Sequence, residues 1–162
     1  MKILLVSDSH GLQLSDEIFN IEQPDLAFHL GDSELEYNHK DLKQYKYKVR
    51  GNCDFDHNYP LVEFVTVNNF KLMLTHGHKF NINYNWNDII TFGKENNVNI
   101  IIHGHDHIAK VEEISGITII NPGSLRQSRN HNEETYAILD IDEDNINVTF
   151  KSKITYQKID LK

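Results

Sequence analysis

The chain contains little cysteine, proline or glycine. Cys53 is the single cysteine among 162 residues, so an internal disulfide is excluded. With 3 Pro and 8 Gly, and without any Ser-, Gln- or Pro-rich stretch, the sequence shows no linker and no disordered tail. No segment repeats with a period of about 20–50 residues, which argues against a solenoid. We therefore expect one domain, residues 1–162, long enough to bury a core of its own.

Long apolar runs and excess positive charge are also missing. No segment approaches the roughly 20 apolar residues of a membrane span, and the run Ile3–Val6 is too short for the core of a signal peptide. We expect a cytoplasmic protein with no membrane partner. The net charge of −8 disfavours binding to long nucleic acid, which needs a basic surface. A small phosphoester remains an acceptable partner, because bound divalent cations would reverse the local field at their site.

The first half of the sequence is typical of a parallel α/β arrangement. The apolar run Lys2–Ser7 predicts a strand buried on both faces, and the short apolar runs Asp25–Leu30 and Tyr45–Arg50 predict two further strands. Apolar residues at helical spacing predict a helix over Leu12–Glu22. Helix-length connections between successive strands favour a parallel sheet.

The second half of the sequence predicts further strand pairs. These are Leu61–Val67 with Phe70–Thr75, Ala109–Ile114 with Ile117–Asn121, and Tyr136–Asp142 with Ile146–Lys153. A helix over Asn85–Asn97 and a buried strand over Asn99–His103 lie between the first two pairs. We expect the late strands to build a second, largely antiparallel sheet.

Seven residues suited to hard metal ions each follow a predicted strand or adjoin a glycine. They are Asp8, His10, Asp32, Asn52, His76, His105 and His107. Three oxygen donors and four imidazoles suffice for two divalent cations if Asp32 bridges them. The absence of thiolate distinguishes this set from a structural zinc site, and the mixture favours Mn or Fe. Two cations a few ångström apart activate water for attack on phosphorus, so the set predicts phosphoester hydrolysis.

Each motif alone also has an ordinary explanation. Gly31-Asp32 and Gly51-Asn52 are common turn sequences, and a solvated loop would equally explain Asp8-x-His10. Cys53 is a weak candidate nucleophile because no histidine adjoins it. Four histidines lack such a context and are expected at the surface or in packing: His29, His39, His57 and His131. His78 and His103 adjoin candidate ligands and are candidates for supporting them.

Taken in order, the motifs are Asp-x-His, Gly-Asp, Gly-Asn-x-Asp, His-Gly-His, Gly-His-x-His and Asn-Pro-Gly-Ser. This ordered set resembles the calcineurin-like metallophosphoesterase superfamily, and within it the YfcE-type small phosphodiesterases of bacteria and archaea. The resemblance extends from Met1 to about Asp140. It implies an α/β fold, a four-layer αββα sandwich of two mixed sheets flanked by helices.

The resemblance also implies a ligand set and a reaction. One metal would be bound by Asp8, His10, Asp32 and His107, and the other by Asp32, Asn52, His76 and His105. Mn²⁺ is the first expectation, with Fe, Ni, Zn or Mg as alternatives. A hydroxide that bridges the metals would hydrolyse a phosphodiester, with Asp32, Asn52 and His76 in catalytic positions.

The sequence departs from the wider superfamily at Cys53, where a histidine that helps to protonate the leaving group is common. The general acid is therefore unassigned, and the candidates for supporting roles are Cys53, Asp54, His78 and Arg126. Asp106 replaces the usual threonine between two ligands and is expected to point away from the metals. A phosphomonoesterase or nucleotide phosphatase with the same metals is one alternative; a non-catalytic scaffold like the retromer subunit is another. A homo-oligomer is compatible with the resemblance.

Overall fold

The computed structural model describes residues 1–129 and 133–161. Ten strands occur in this part of the chain: β1 (Lys2–Val6), β2 (Leu26–His29), β3 (Tyr47–Lys48), β4 (Val62–Val67), β5 (Phe70–Thr75), β6 (Ile100–Ile102), β7 (Lys110–Ile114), β8 (Ile117–Asn121), β9 (Thr135–Ile141) and β10 (Ile146–Ser152). Two α-helices, α1 (Glu17–Glu22) and α2 (Asn87–Glu95), and two 3-10 turns, Lys40–Leu42 and His78–Phe80, accompany them.

The strands form two mixed five-stranded sheets. The first has the order β10-β9-β1-β2-β3, with β1, β2 and β3 parallel and β9 antiparallel to both β1 and β10. The second has the order β4-β5-β6-β8-β7, with β5, β6 and β8 parallel and an antiparallel strand at each edge. The two mixed sheets implied by the family resemblance are confirmed.

The main core lies between the two sheets and follows from alternation along each strand. In β1, Ile3 and Leu5 belong to the cluster shared with the second sheet, whereas Leu4 belongs to a cluster on the outer side of the first sheet. In β6, Ile100 joins the shared cluster and Ile101 joins the cluster on the outer side of the second sheet. Strands buried on both faces are therefore apolar at every position, which is the pattern that the sequence displays.

Each helix covers the outer side of one sheet. Ile18 of α1 packs in the outer cluster of the first sheet, and Ile89 and Ile90 of α2 pack in that of the second. Helix α2 lies within the predicted range. The helix predicted from Leu12 is wrong in its first half, because α1 begins only at Glu17. Residues 12–15 have no regular secondary structure, and the first helical hydrogen bond joins the amide of Asn20 to the carbonyl of Asp16.

The prediction that the late strands build a second, largely antiparallel sheet is correct for the antiparallel pair β7–β8 and wrong for β9 and β10. Strands β9 and β10 join the first sheet, where β9 pairs with β1 through Leu4 and Ile138. The second sheet instead contains a parallel centre, β5-β6-β8. Hydrophobic alternation shows that a strand is buried, but it does not identify the strand that pairs with it. No helix in the described ranges is long and apolar enough to cross a membrane.

Candidate metal centre

The loops after the parallel strands of both sheets meet at one end of the molecule. The amide of Asp8 donates to the carbonyl of Gly31, 3.0 Å away, and that of His10 donates to Asp32, 2.9 Å away. Between the sheets, the amide of His105 donates to the Asp8 carboxylate at 3.1 Å. Backbone hydrogen bonds thus join segments that are distant in sequence into one set of loops.

These loops hold strained backbone at the candidate ligands. Five of the seven have positive φ: Asp8 (53°), His10 (44°), Asp32 (55°), His105 (76°) and His107 (60°). A non-glycine residue in this region costs about 1–3 kcal/mol and persists only where the surroundings enforce it. Such strain concentrates at functional sites, which is consistent with a site built from these loops.

Five of the candidate ligands place their donor atoms close together. Nε2 of His107 lies 3.1 Å from Oδ1 of Asp8, and Nε2 of His76 lies 3.2 Å from Oδ2 of Asp32. Nε2 of His10 is 3.9 Å from each of those two carboxylate oxygens. The groups Asp8–His10–His107 and Asp8–Asp32–His76 each bring their ligand atoms within 4.8 Å of one another.

The hydrogen bonds of the far ring nitrogens orient three of the imidazoles. Nδ1 of His76 lies 2.7 Å from the carbonyl oxygen of Leu30, and Nδ1 of His107 lies 2.8 Å from that of Gln127. A carbonyl oxygen only accepts, so each Nδ1 carries the proton and each neutral ring presents the Nε2 lone pair to the cluster. Nδ1 of His10 is likewise paired, with the carboxylate of Glu34 at 2.7 Å. Metal-binding histidines commonly have such partners.

The residues present fit a divalent cation. Oδ1 of Asp8 and Nε2 of His76 are buried, and neither has an aligned hydrogen-bond partner in the described part of the chain. Unpartnered buried polar atoms are rare because each costs about 1–3 kcal/mol. Carboxylate oxygens and imidazole nitrogens that point at one another without hydrogen bonds are suited to a shared cation.

Without a cation, protons compensate part of the negative charge in this cluster. Burial alone would raise the pKa of Asp32, but the His76 ring, whose Nε2 lies 3.2 Å from Oδ2 and is positively charged when protonated, outweighs burial and holds that pKa below its usual range. Burial would lower the pKa of His76 and of His107, yet the Asp32 and Asp8 carboxylates reverse the effect and raise both values. A metal at this site would therefore compete with protons.

Asn52 and His105 lie outside the compact cluster. The Asn52 side chain is exposed, and its amide nitrogen lies 3.5 Å from the sulfur of Cys53. Nε2 of His105 is 3.2 Å from the side-chain amide nitrogen of Asn83. The His105 ring is nevertheless close to the cluster, with its centroid 5.1 Å from that of His76.

Comparison with known proteins identifies the family. The model of the calcineurin-like phosphoesterase superfamily domain matches residues 1–144, most of the chain. This chain belongs to the calcineurin-like phosphoesterase superfamily. The probable metallophosphoesterase YsnB of Bacillus subtilis is similar, at 38% identity over 155 residues that cover 93% of this chain and 90% of YsnB.

Solved structures with a similar fold are consistent with this assignment. A predicted phosphoesterase of Streptococcus pneumoniae has a TM-score of 0.86 at 32% identity and covers 93% of this chain and 88% of that one. The E. coli phosphoesterase YfcE has a TM-score of 0.69 at 24% identity, with 99% and 97% covered. Vps29 of Entamoeba histolytica, solved with Zn²⁺, has a TM-score of 0.79 at 19% identity, with 98% and 96% covered. The last two likenesses show the fold alone.

Membership in the calcineurin-like phosphoesterase superfamily has a direct functional consequence. The chain is a phosphoric ester hydrolase that uses divalent metal ions. The candidate ligand clusters at the strand ends are consistent with that chemistry.

Asp54 positions the loop that carries Asp32. Its Oδ2 accepts hydrogen bonds from the amides of Asp32 and Gly51, at 2.8 and 2.7 Å. Its Oδ1 accepts from the amide of Glu34, at 2.8 Å, and from the hydroxyl of Ser33. The supporting role that the sequence suggested for Asp54 thus has a structural basis in both oxygens of one buried carboxylate.

Cys53 contributes its backbone more than its thiol. Its amide donates to Oδ1 of Asp32 at 2.8 Å. Burial and the neighbouring Asp32 carboxylate raise the pKa of the thiol to about 11, so the thiolate is scarce at neutral pH. A nucleophilic role for Cys53 is therefore disfavoured.

Three further residues singled out in the sequence, His78, Arg126 and Asp106, occupy different positions around the ligands. His78 adjoins His76, with ring centroids 5.5 Å apart, and burial together with His76 lowers the pKa of His78 to about 4. The guanidinium of Arg126 donates to the backbone carbonyl of His10. Asp106 points away from the metal ligands. Its Oδ1 accepts a hydrogen bond from the side-chain Nδ2 of Asn121 at 2.6 Å.

Glu34 was not predicted as part of the site, and His29 was predicted only as a surface or packing residue. Glu34 orients His10 but is separated from it by 24 positions, and no motif of the family resemblance includes it. His29 is buried, and its Nε2 lies 2.9 Å from the hydroxyl of Ser9, directly behind the Asp8 loop. His29 ends strand β2, and this position at a strand end was the sequence feature that could have placed it near the site. His131 lies outside the described residues.

Proposed function

We propose that this hydrolase is a phosphodiesterase with two divalent cations that share Asp32. The observation that carries the proposal is the cluster of Asp8, His10, Asp32, His76 and His107, in which buried Asp8 Oδ1 and His76 Nε2 lack aligned partners. Asn52 and His105 complete the proposed ligand set after a side-chain rotation. Mn²⁺ is the cation we would test first, because oxygen and imidazole donors together suit it.

Bound in this way, the two cations would orient the phosphate, neutralise its charge and activate a water for attack on phosphorus. The chain itself supplies the geometry. Asp32 lies between two histidines, and its Oδ1 is held by the Cys53 amide while Oδ2 faces His76. Strained but hydrogen-bonded loops fix these groups before substrate arrives, which is the condition for electrostatic stabilisation of a transition state.

Neither Cys53 nor His78 is well suited to act as the general acid for the leaving group. The Cys53 thiol is a weak acid, with a pKa raised to about 11, and the His78 ring is neutral near pH 7 because its pKa is lowered to about 4. An efficient acid has a pKa near the working pH. This supports diesters with a good leaving group, such as nitrophenolate, as the test substrates.

The decisive experiment is hydrolysis of bis(p-nitrophenyl) phosphate by metal-stripped protein after addition of Mn²⁺, Mg²⁺, Ni²⁺ or Zn²⁺. We expect Mn²⁺ to restore turnover, and Asp32→Asn and His76→Ala to lower it by about 100-fold or more, since each removes a ligand. Asp140→Asn and His39→Ala are the matched controls and should retain the activity. Circular dichroism verifies that every variant is folded.

The result separates the alternatives. Faster turnover of p-nitrophenyl phosphate than of the diester would favour a phosphomonoesterase. A folded protein that hydrolyses neither ester with any of the four metals would favour a scaffold of the retromer-subunit kind. The intact set of histidine and carboxylate ligands is the reason that we favour the enzyme.

A further inference from the structure

A basic pocket adjoins the proposed metal centre. It has a volume of about 300 Å³ and lies between the loop after β3, with Arg50, Asn52 and His57, and the turn after β5, with His78 and Lys79. Asn52 is also a proposed metal ligand, so the pocket and the metal centre share one wall. A group bound here would lie beside a phosphate at the metals.

The charge of this pocket is opposite to that of the chain as a whole. The protein has a net charge of −8, yet Arg50 and Lys79 both line this pocket. Its one carboxylate, Asp54, is buried and accepts four hydrogen bonds from the surrounding loop, so it is not available to pair with either cation. In the described part of the chain, neither Arg50 nor Lys79 forms an ion pair with an acidic residue.

The guanidinium of Arg50 is oriented but still has free donors. Its Nη1 donates to Nδ1 of His57 at 2.6 Å, and no other hydrogen bond of this guanidinium to the described residues is present. Guanidinium presents five N–H groups in a planar fork that matches the oxygens of a phosphate. Lys79 adds a flexible ammonium on the opposite side of the pocket.

We propose that this pocket binds a second phosphate group of the substrate while the first phosphate, the diester, reacts at the metals. The second phosphate would be attached to one of the two alcohols that the diester joins. The inference rests on the phosphodiesterase function proposed above and defines its substrate class as a diester with an additional terminal phosphate. Metal chemistry then provides the reaction, and Arg50 and Lys79 provide the preference for a doubly charged substrate.

The test compares two diesters that release the same nitrophenolate. These are thymidine 5′-(p-nitrophenyl phosphate) and the same compound with a phosphate at the 3′ position. With Mn²⁺-loaded wild-type protein we expect kcat/KM to be about tenfold or more higher for the 3′-phosphorylated compound, mainly through KM, since a charge-assisted contact contributes about this much. Added KCl should reduce the preference by screening.

The preference ratio of the two substrates is then measured in variants. We expect Arg50→Gln and Lys79→Gln each to lower the ratio several-fold and the double variant to bring it near one. Lys94→Gln, which removes an exposed lysine from α2, is the matched control and should keep the wild-type ratio.

The possible failures are distinguishable. If wild-type protein hydrolyses both diesters at equal kcat/KM, or if Arg50→Gln with Lys79→Gln leaves the ratio unchanged, the second-phosphate site is wrong while the phosphodiesterase function stands. If neither diester is hydrolysed with any metal, the phosphodiesterase function is wrong and the inference falls with it.

Discussion

At the scale of single residues, the metal centre is a balance between negative carboxylates and protons that a cation would displace. Asp8 and His76 are fully buried, and a buried carboxylate is expensive unless it is paired. In the metal-free protein the pKa values of His76 and His107 are raised above the usual 6.5, so at lower pH their protonated rings supply the pairing. Metal binding requires neutral imidazoles and must release these protons.

We predict that Mn²⁺ stabilises the protein more strongly as pH rises from 6 to 8. The raised pKa of His76 and of His107 gives the metal-free fold a contribution that is present below about pH 6.5 and is lost as pH rises through the folded values. Over the same range, metal affinity increases up to about tenfold per pH unit for each proton displaced. The protons that stabilise the metal-free fold are the ones that Mn²⁺ must displace, so their loss with rising pH enlarges the difference in Tm with and without Mn²⁺.

The measurement is the Tm difference at saturating Mn²⁺ concentration relative to a metal-free sample at pH 6, 7 and 8. Asp8 and Asp32 contribute nothing to the slope, because their lowered pKa values keep them ionised in both samples throughout this range. Buried His103, whose pKa is lowered to about 4, titrates alike with and without metal and cancels. A Tm difference that is constant from pH 6 to 8 would contradict the prediction.

Motifs identified the residues that donate to the metals but not the groups that orient them. Asp8, His10, Asp32, His76 and His107 were predicted, and the structure brings their donor atoms together. The carbonyls of Leu30 and Gln127, which fix two imidazole tautomers, belong to residues whose side-chain type has no bearing on that role. Backbone acceptors of this kind become visible only when the loops are folded.

At the scale of elements, the loops after the strands approach one another so closely that glycine is required at several points. A Cβ at Gly31 would lie 2.6 Å from Nδ1 of His76, and one at Gly104 would lie 2.0 Å from the hydroxyl of Ser7. A Cβ at Gly51 would lie 2.0 Å from Oδ1 of Asp32. The glycines beside the ligands in the sequence therefore allow the loops of two sheets to meet.

Gly51→Ala should damage both the metal centre and the fold. Gly51 does not have positive φ, so alanine causes no dihedral strain, but its Cβ would lie 2.0 Å from Oδ1 and 2.4 Å from the backbone nitrogen of Asp32 and must displace that loop. We expect Mn²⁺-dependent hydrolysis of bis(p-nitrophenyl) phosphate to fall at least about tenfold, with a loss of about 1–3 kcal/mol in the free energy of unfolding.

Gly116→Ala is the control for this substitution. Gly116 lies in the β7–β8 turn with φ +80° and nothing within 4 Å of an added Cβ, so alanine there introduces backbone strain without a contact. It should cost about 1–2 kcal/mol of stability and leave turnover per folded molecule unchanged. Equal activity of the two variants would show that the Asp32 loop yields to the methyl group.

The central strands β1 and β6 could be predicted from the sequence because burial on both faces makes them continuously apolar. The β4–β5 and β7–β8 pairs were also predicted, and in the structure their turns contain positive φ at Asn68 and at Gly116. The sheet to which β9 and β10 belong was not predicted, because pairing β9 with β1 joins residues more than 130 positions apart. Local patterns carry no information on such a long-range pairing.

At the scale of the whole molecule, the two sheets share one core. The central cluster takes Leu5 and Phe28 from the first sheet and Leu74 and Ile102 from the second. The metal centre also depends on both, since Asp8 follows β1 and His76 follows β5. Neither sheet keeps its apolar side covered without the other, so the expected single domain should unfold as one cooperative unit.

Leu5→Ala tests this cooperativity. Leu5 is fully buried in the shared core, and its truncation should lower the free energy of unfolding by about 2–5 kcal/mol. Trp86, the single tryptophan, packs against the outer cluster of the second sheet, with its ring centroid 5.3 Å from that of His103. Its fluorescence therefore reports on the sheet that does not contain Leu5.

In urea, the fluorescence midpoint and the far-ultraviolet circular dichroism midpoint of Leu5→Ala should shift together, because loss of the shared core destabilises both sheets. A circular dichroism transition that moves while the Trp86 transition stays at its wild-type urea concentration would mean that the two sheets unfold independently.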